Sequence, residues 1–261
     1  MSAPATVAPS TSPTPSRPRS QLAAIIRYTL QSCLPPRRWA AVLLPCVGAV
    51  LFGLMSRALH GRADVRFANV AAEAIFSLTM PISALVVGDA VLGAEVRSGT
   101  FHFTWLSPVS MWRIVIGRWL GGSFVVAVTV GPSCALAAFV AGSPSSAGPA
   151  VIAGVAGAVA YVALFIAIGC VTRRTAVWSL AIVFLVERLL GAALTGIAQI
   201  SPTWLSRSAF VGLLDDPPTR LVRDGIPDGW GALVRLAVVA AIALGIAIWR
   251  MSHMRIASAS D

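Results

Sequence analysis

The chain has no lysine, because all 20 of its basic residues are arginine. A Walker A loop needs a lysine to reach the phosphates of a bound nucleotide. This chain cannot form that loop, and it is therefore not itself a P-loop ATPase. The exclusive use of arginine is also typical of a GC-rich bacterial genome, so we expect a bacterial protein.

Charge of either sign is scarce. Charged residues make up 11% of the chain and hydrophobic residues 57%, with a mean hydropathy of +0.81, whereas a soluble domain carries about 25% charge. So few charges cannot cover a water-facing surface, and this predicts an integral membrane protein. The net charge is +10, but the arginines lie between apolar runs and do not cluster on a polar face. We therefore expect no nucleic-acid partner.

Motifs for disulfides, metal binding and secretion are missing as well. The four cysteines are widely spaced and form no C-x-x-C pair, so they are expected to act as small apolar side chains. Residues 1–18 lack the apolar core of a signal peptide and are rich in Ser, Thr, Pro and Ala. They are interpreted as a disordered cytoplasmic tail.

Six apolar runs are long enough to cross a membrane, which takes about 20 residues. They predict an all-α integral membrane fold, with six transmembrane helices in one transmembrane domain at 37–256. The predicted spans are Trp39–Leu59, Phe67–Val91, Val115–Ala141, Ala150–Val171, Thr175–Gln199 and Trp230–Arg250.

A shorter amphipathic segment precedes the first span, at residues 19–36. Its apolar side chains recur at helical spacing, and its polar side chains fall on the opposite side. The apolar positions are Leu22, Ile25, Ile26, Leu30 and Cys33. The segment is too short and too polar to span, so we predict an interfacial helix.

Arginines in the loops predict the orientation. With the N-terminus inside, twelve arginines lie on the cytoplasmic side and seven on the outside, and Arg188 lies within the fifth span. Because basic residues favour the cytoplasmic side, both termini are expected there.

The connection between the second and third spans has internal order. Ser98 and Gly99 stop the preceding helix, Thr100 begins a short apolar one, and Pro108 ends it before Ser110 begins the next. This predicts a short cytoplasmic helix within a coupling segment at 93–113.

The same segment resembles the cytoplasmic signature of ABC-2 type transporter permeases, which commonly reads Glu-Arg-x-x-Gly-Thr, then Pro-Val-Ser-Arg, then Gly-Lys. Arginine replaces the usual lysine at 118, and the basic residue after Ser110 is displaced to 113, with Met111 and Trp112 between them. The matching residues are Glu95, Gly99, Thr100, Pro108, Val109, Ser110, Arg113, Gly117 and Arg118.

The resemblance implies a non-catalytic permease subunit of an ATP-driven exporter in a bacterial cell membrane. Such subunits pair with a second permease subunit and rest on two cytoplasmic ATPase subunits, which bind ATP and Mg²⁺. The segment between spans two and three would then be the coupling helix. Its expected contact residues are Glu95, Arg97, Gly99, Thr100, Phe101, Phe103, Trp105, Leu106, Pro108 and Arg113.

Glu187 and Arg188 lie near the middle of the fifth predicted span, and Glu73 lies in the outer half of the second. A charge at the centre of a membrane helix costs about 2.5–3.5 kcal/mol and needs a partner. Glu73 is a candidate partner for Arg188. The three residues either line a translocation path or form a structural pair between helices, and the sequence leaves both alternatives open.

Two smaller features complete the pattern. The loop at 200–228 contains Trp204 and Phe210, which suit a short helix at the outer interface. Gly148, Gly154 and Gly157 suit close helix packing. The alternative functions are an intramembrane enzyme, for which no catalytic motif is present, and a non-transporting anchor or sensor.

Overall fold

The computed structural model describes residues 18–33, 39–93, 109–172, 175–183, 185, 200–222 and 229–253. Within these ranges the chain is helical and contains no β-strand. The principal α-helices are α1 (Pro18–Cys33), α2 (Trp39–Ser56), α3 (63–93, with π-helical stretches), α4 (Met111–Ala141), α5 (Ala147–Val171), α6 (Thr175–Ala181), α7 (Pro202–Gly212) and α8 (Gly229–His253).

Four of the described helices are long and apolar enough to cross a membrane, as a membrane protein requires. They are Ala63–Val91, Met111–Ala141, Pro144–Val171 and Gly229–His253. The apolar part of α2, Val42–Ser56, is shorter. Most of the predicted fifth span lies outside the described residues, so six spans stay a prediction.

Tryptophans mark the two ends of α8. Trp230 and Trp249 are both exposed, and they lie about 28 Å apart at 1.5 Å per residue. This distance matches the hydrocarbon thickness of about 30 Å, and tryptophan prefers the membrane–water interface. Arg250 and His253 occupy the last turn of the helix, where cations complement its dipole.

The helix α3 changes its winding three times along its length. It is π-helical over Ala71–Thr79 and again over Asp89–Gly93, with an α-helical piece, Met80–Gly88, between them. Pro81 lies at the start of that piece. A proline ring clashes with the carbonyl four residues earlier, and a wider turn before it relieves the clash.

The helix α1 runs parallel to the first half of α4. Gln21 contacts Arg113, Ile25 packs on Gly117, and Thr29 packs on Gly121. The contacts advance by four residues on both helices, so the two axes rise together. The apolar side of α1 is thus covered by α4, and the predicted interfacial location stays a prediction.

Close packing around α5 depends on small residues. A Cβ atom on Gly154 would lie 2.9 Å from the sulfur of Cys134, and one on Gly157 would collide with Ser206. The prediction of close helix packing is confirmed at these two glycines. Gly148 has no atom within 4 Å of its Cβ position, so the prediction is wrong there.

Candidate functional site on both sides of segment 94–108

Most of the predicted coupling residues lie outside the described part of the chain. These are Glu95, Arg97, Gly99, Thr100, Phe101, Phe103, Trp105, Leu106 and Pro108. Arg113 is described, and so are the residues on either side of segment 94–108. We call Asp89–Gly93 and 109–118 together the loop root. Its geometry shows how the two ends of the segment are held.

The first side of the loop root is held by a buried arginine. Arg118 is only 4% exposed, and its Nη1 donates a hydrogen bond of 2.9 Å to the carbonyl oxygen of Val91. A backbone carbonyl oxygen has two lone pairs, so it can accept a hydrogen bond from a guanidinium. The bond ties the end of α3 to α4.

The second side of the loop root begins α4. The backbone of Ser110 is extended, and its carbonyl accepts from the N–H groups of Arg113 and Ile114 at 2.9 and 3.3 Å. Ser110 occupies the N-cap position as predicted, but its side chain forms no capping hydrogen bond. Arg113 Nη1 donates to Gln21 Oε1 at 3.3 Å, and its Cζ atom lies 5.3 Å from the Trp112 ring centre.

The helix α4 carries glycines, which have no side chain, where neighbouring helices approach it. A Cβ on Gly117 would lie 2.8 Å from Ile25, and one on Gly121 would lie 2.8 Å from Thr29. On another side of α4, a Cβ on Gly122 would lie 3.0 Å from Val91. Glycines therefore let α1 and the end of α3 approach α4 closely at the same level. The loop root and α1 therefore pack together as one unit.

A second charged feature lies on α3, away from the loop root. Glu73 Oε1 is 2.8 Å from Nη1 of Arg207 on α7, and the side chains are 63% and 24% exposed. Glu73 lies ten residues after Ala63, about 15 Å along the helix. Among residues 67–91, all of which the structure describes, Glu73 is the only exposed one.

The structure pairs the Glu73 carboxylate with Arg207, and the suggested pairing of Glu73 with Arg188 stays a prediction. Glu187 and Arg188 lie outside the described residues. The sequence predicts a short helix around Trp204 and Phe210, and so one that carries Arg207, but it does not specify that this helix contacts α3. A usable signal was Ser201, whose hydroxyl accepts from the N–H of Trp204 and so marks the start of a helix that carries Arg207.

The helix α7 confirms the short helix expected around Trp204 and Phe210. Phe210 is buried and packs against two α3 residues, with ring centres 6.3 Å from Phe67 and 5.2 Å from Phe76. Thr203 shares a 2.6 Å hydrogen bond with Tyr161 of α5. The helix is thus seated in the bundle, where it brings Arg207 to Glu73.

Comparisons with protein-family models and with curated proteins find no match to this chain. In the described part of the chain, no group of three or more His, Cys, Asp or Glu side chains could hold a metal ion. The charged features considered for function are Arg113 and Arg118 in the loop root and the ion pair of Glu73 with Arg207. These contacts are suited to holding helices together and to placing a charged group within the helical bundle.

Proposed function

We propose that this chain is the permease subunit of an ATP-driven exporter in a bacterial cell membrane. It works with a second permease subunit and with two cytoplasmic ATPase subunits, which bind ATP and Mg²⁺. Segment 94–108 and both termini are cytoplasmic, and residues 200–222 are outside. The chain itself catalyses no reaction.

The exposed carboxylate of Glu73 carries this proposal. The rest of α3 from Phe67 to Val91 is buried or half-buried. Only a narrow strip of this helix, its open side, is therefore not covered by the rest of the chain. An ionised group at membrane depth faces protein or a water-filled cavity in nearly all membrane proteins. A polar group on the open side of a transmembrane helix is what a translocation path needs.

The loop root supplies the second support. A membrane anchor needs only a short connection between two spans, whereas here both sides of a longer segment are fixed to α4 and α1. A force applied to segment 94–108 would reach α3 and α4 directly. This is the mechanical requirement for a segment that couples a partner's motion to transmembrane helices.

Water access to Glu73 tests the translocation path. We would replace the four native cysteines by alanine, introduce Glu73→Cys, and label the chain in bilayers with a membrane-impermeant thiol reagent. The matched control is Val128→Cys on α4, which is also exposed within a span. We expect the thiol at position 73 to react and the thiol at position 128 to stay unlabelled. Equal protection of both positions would contradict a water-filled path at Glu73.

Binding of an ATPase tests the partner. The tagged full-length chain would be co-expressed with a P-loop ATPase encoded beside it, and the complex purified in lipid nanodiscs. We expect co-purification and ATP hydrolysis that changes when cargo is added. A chain that binds no ATPase but keeps an accessible Glu73 would instead support a membrane sensor or anchor.

A further inference from the structure

We infer that Arg118 is the positioning residue that makes the end of α3 and the start of α4 move as one body when segment 94–108 is pushed. The inference rests on the proposed function, because it assumes that an ATPase pushes this segment. The inference goes beyond the proposed function because it assigns a specific role to a residue outside the segment. Arg118 contacts neither cargo nor nucleotide in this scheme.

The location of Arg118 is the first reason. The residue lies on α4, two turns after Ser110, the N-cap of that helix, and it bonds to Val91 near the end of α3. Segment 94–108 begins directly after Gly93, which ends α3. A single side chain thus joins the two helices close to the points where the segment leaves one and enters the other.

The burial of Arg118 is the second reason. The side chain is 4% exposed, so water does not compete strongly for its hydrogen bond to Val91. A charged donor strengthens such a bond, and a buried guanidinium is held in one geometry by its partners. A contact of this kind transmits displacement, whereas an exposed and solvated arginine would yield.

The packing around Arg118 is the third reason. Side chains of α1 pack on Gly117 and Gly121, and Val91 packs on Gly122. The arginine therefore lies in a close-packed region with little free space. Dense packing allows few intermediate arrangements, which favours movement as a unit. Removal of the arginine should therefore let α3 slip against α4 when the segment is displaced.

The first test uses the full-length chain without any ATPase. Arg118→Met removes the donors and keeps an apolar stem, whereas Arg235→Met removes an exposed arginine from α8. In Arg118→Met we expect hydrogen exchange of the amides at 89–93 to rise about tenfold or more, with no change in Arg235→Met. Unchanged exchange in Arg118→Met would overturn the inference whatever the chain's function is.

The second test separates positioning from docking. In nanodiscs with the ATPase, Arg118→Met should bind the ATPase within about twofold of the native chain, yet transport about tenfold less cargo per ATP hydrolysed. Arg118→Lys should restore part of this ratio. Loss of ATPase binding by the native chain would defeat the proposed function alone, whereas an unchanged transport ratio in Arg118→Met would defeat the role of Arg118.

The third test replaces the hydrogen bond with a covalent one. In a chain free of native cysteines that carries Arg118→Met, Val91→Cys and Gly122→Cys place two thiols across the α3–α4 contact. The Cβ position of Gly122 lies 3.0 Å from Val91 Cγ2, which suits a disulfide. Oxidation should restore the transport ratio and reduction should remove it. A formed disulfide that restores nothing would refute the inference.

Discussion

The ion pair between Glu73 and Arg207 allows a quantitative test of its surroundings. The two charged atoms are 2.8 Å apart, but the carboxylate side chain is 63% exposed. If water reaches that side, solvent screening limits the coupling between the charges to about 1 kcal/mol or less. If hydrocarbon or tightly packed protein covers it, loss of one partner costs about 3–5 kcal/mol.

A double-mutant cycle measures this coupling directly. Glu73→Ala, Arg207→Ala and the double variant would be compared by their free energies of unfolding in mixed micelles and in bilayers. We expect a coupling energy of about 1 kcal/mol. The control pair is Arg62 with Asp216, 3.1 Å apart and well exposed on both sides, for which we expect about 0.5 kcal/mol.

The outcome that refutes this reasoning is specific. A coupling energy above about 3 kcal/mol for Glu73 with Arg207, alongside a small value for the control pair, would mean that water does not reach the carboxylate. Glu73 would then be a structural residue of the helical bundle, and the main support for a translocation path would be lost.

Two further predictions concern packing and partner binding. Gly157→Val should lower the free energy of unfolding by about 1–3 kcal/mol, because the new Cβ would collide with Ser206 and Met80. The control is Gly148→Val, since Gly148 has open space around its Cβ position. It should change the free energy of unfolding by less than about 0.5 kcal/mol. Replacing Trp105 and Leu106 together with alanine should weaken ATPase binding about tenfold or more in a pull-down, and unchanged binding would leave segment 94–108 a mere connector.

Helix positions followed from the sequence because long apolar runs determine them. The third span was expected at Val115–Ala141, and the helix occupies Met111–Ala141. The fourth was expected at Ala150–Val171, and the helix occupies Ala147–Val171. The helix α4 starts directly after Ser110, as the sequence predicts, and α5 starts before its predicted span because the small residues Ala147 and Gly148 are also helical.

Contacts between distant residues did not follow from the sequence. The bond from Arg118 to Val91 and the pair of Glu73 with Arg207 depend on how helices pack, which periodicity does not specify. The direction of α1 was equally hidden. Its apolar side predicts that something covers it, but lipid and a neighbouring helix satisfy the same pattern.

The π-helical stretch Ala71–Thr79 has a consequence for changes in chain length. Its turns bond each N–H to a carbonyl five residues back, so the stretch holds a residue more than an α-helix of the same rise requires. Deletion of one residue there can convert the wide turn to an ordinary one and leave both flanking parts of α3 in register. The same deletion in the middle of α4 would rotate Gly117 and Gly121 away from α1 by about 100° relative to the rest of the helix. Homologous chains that differ in length by one residue within a span should therefore differ in α3 and not in α4.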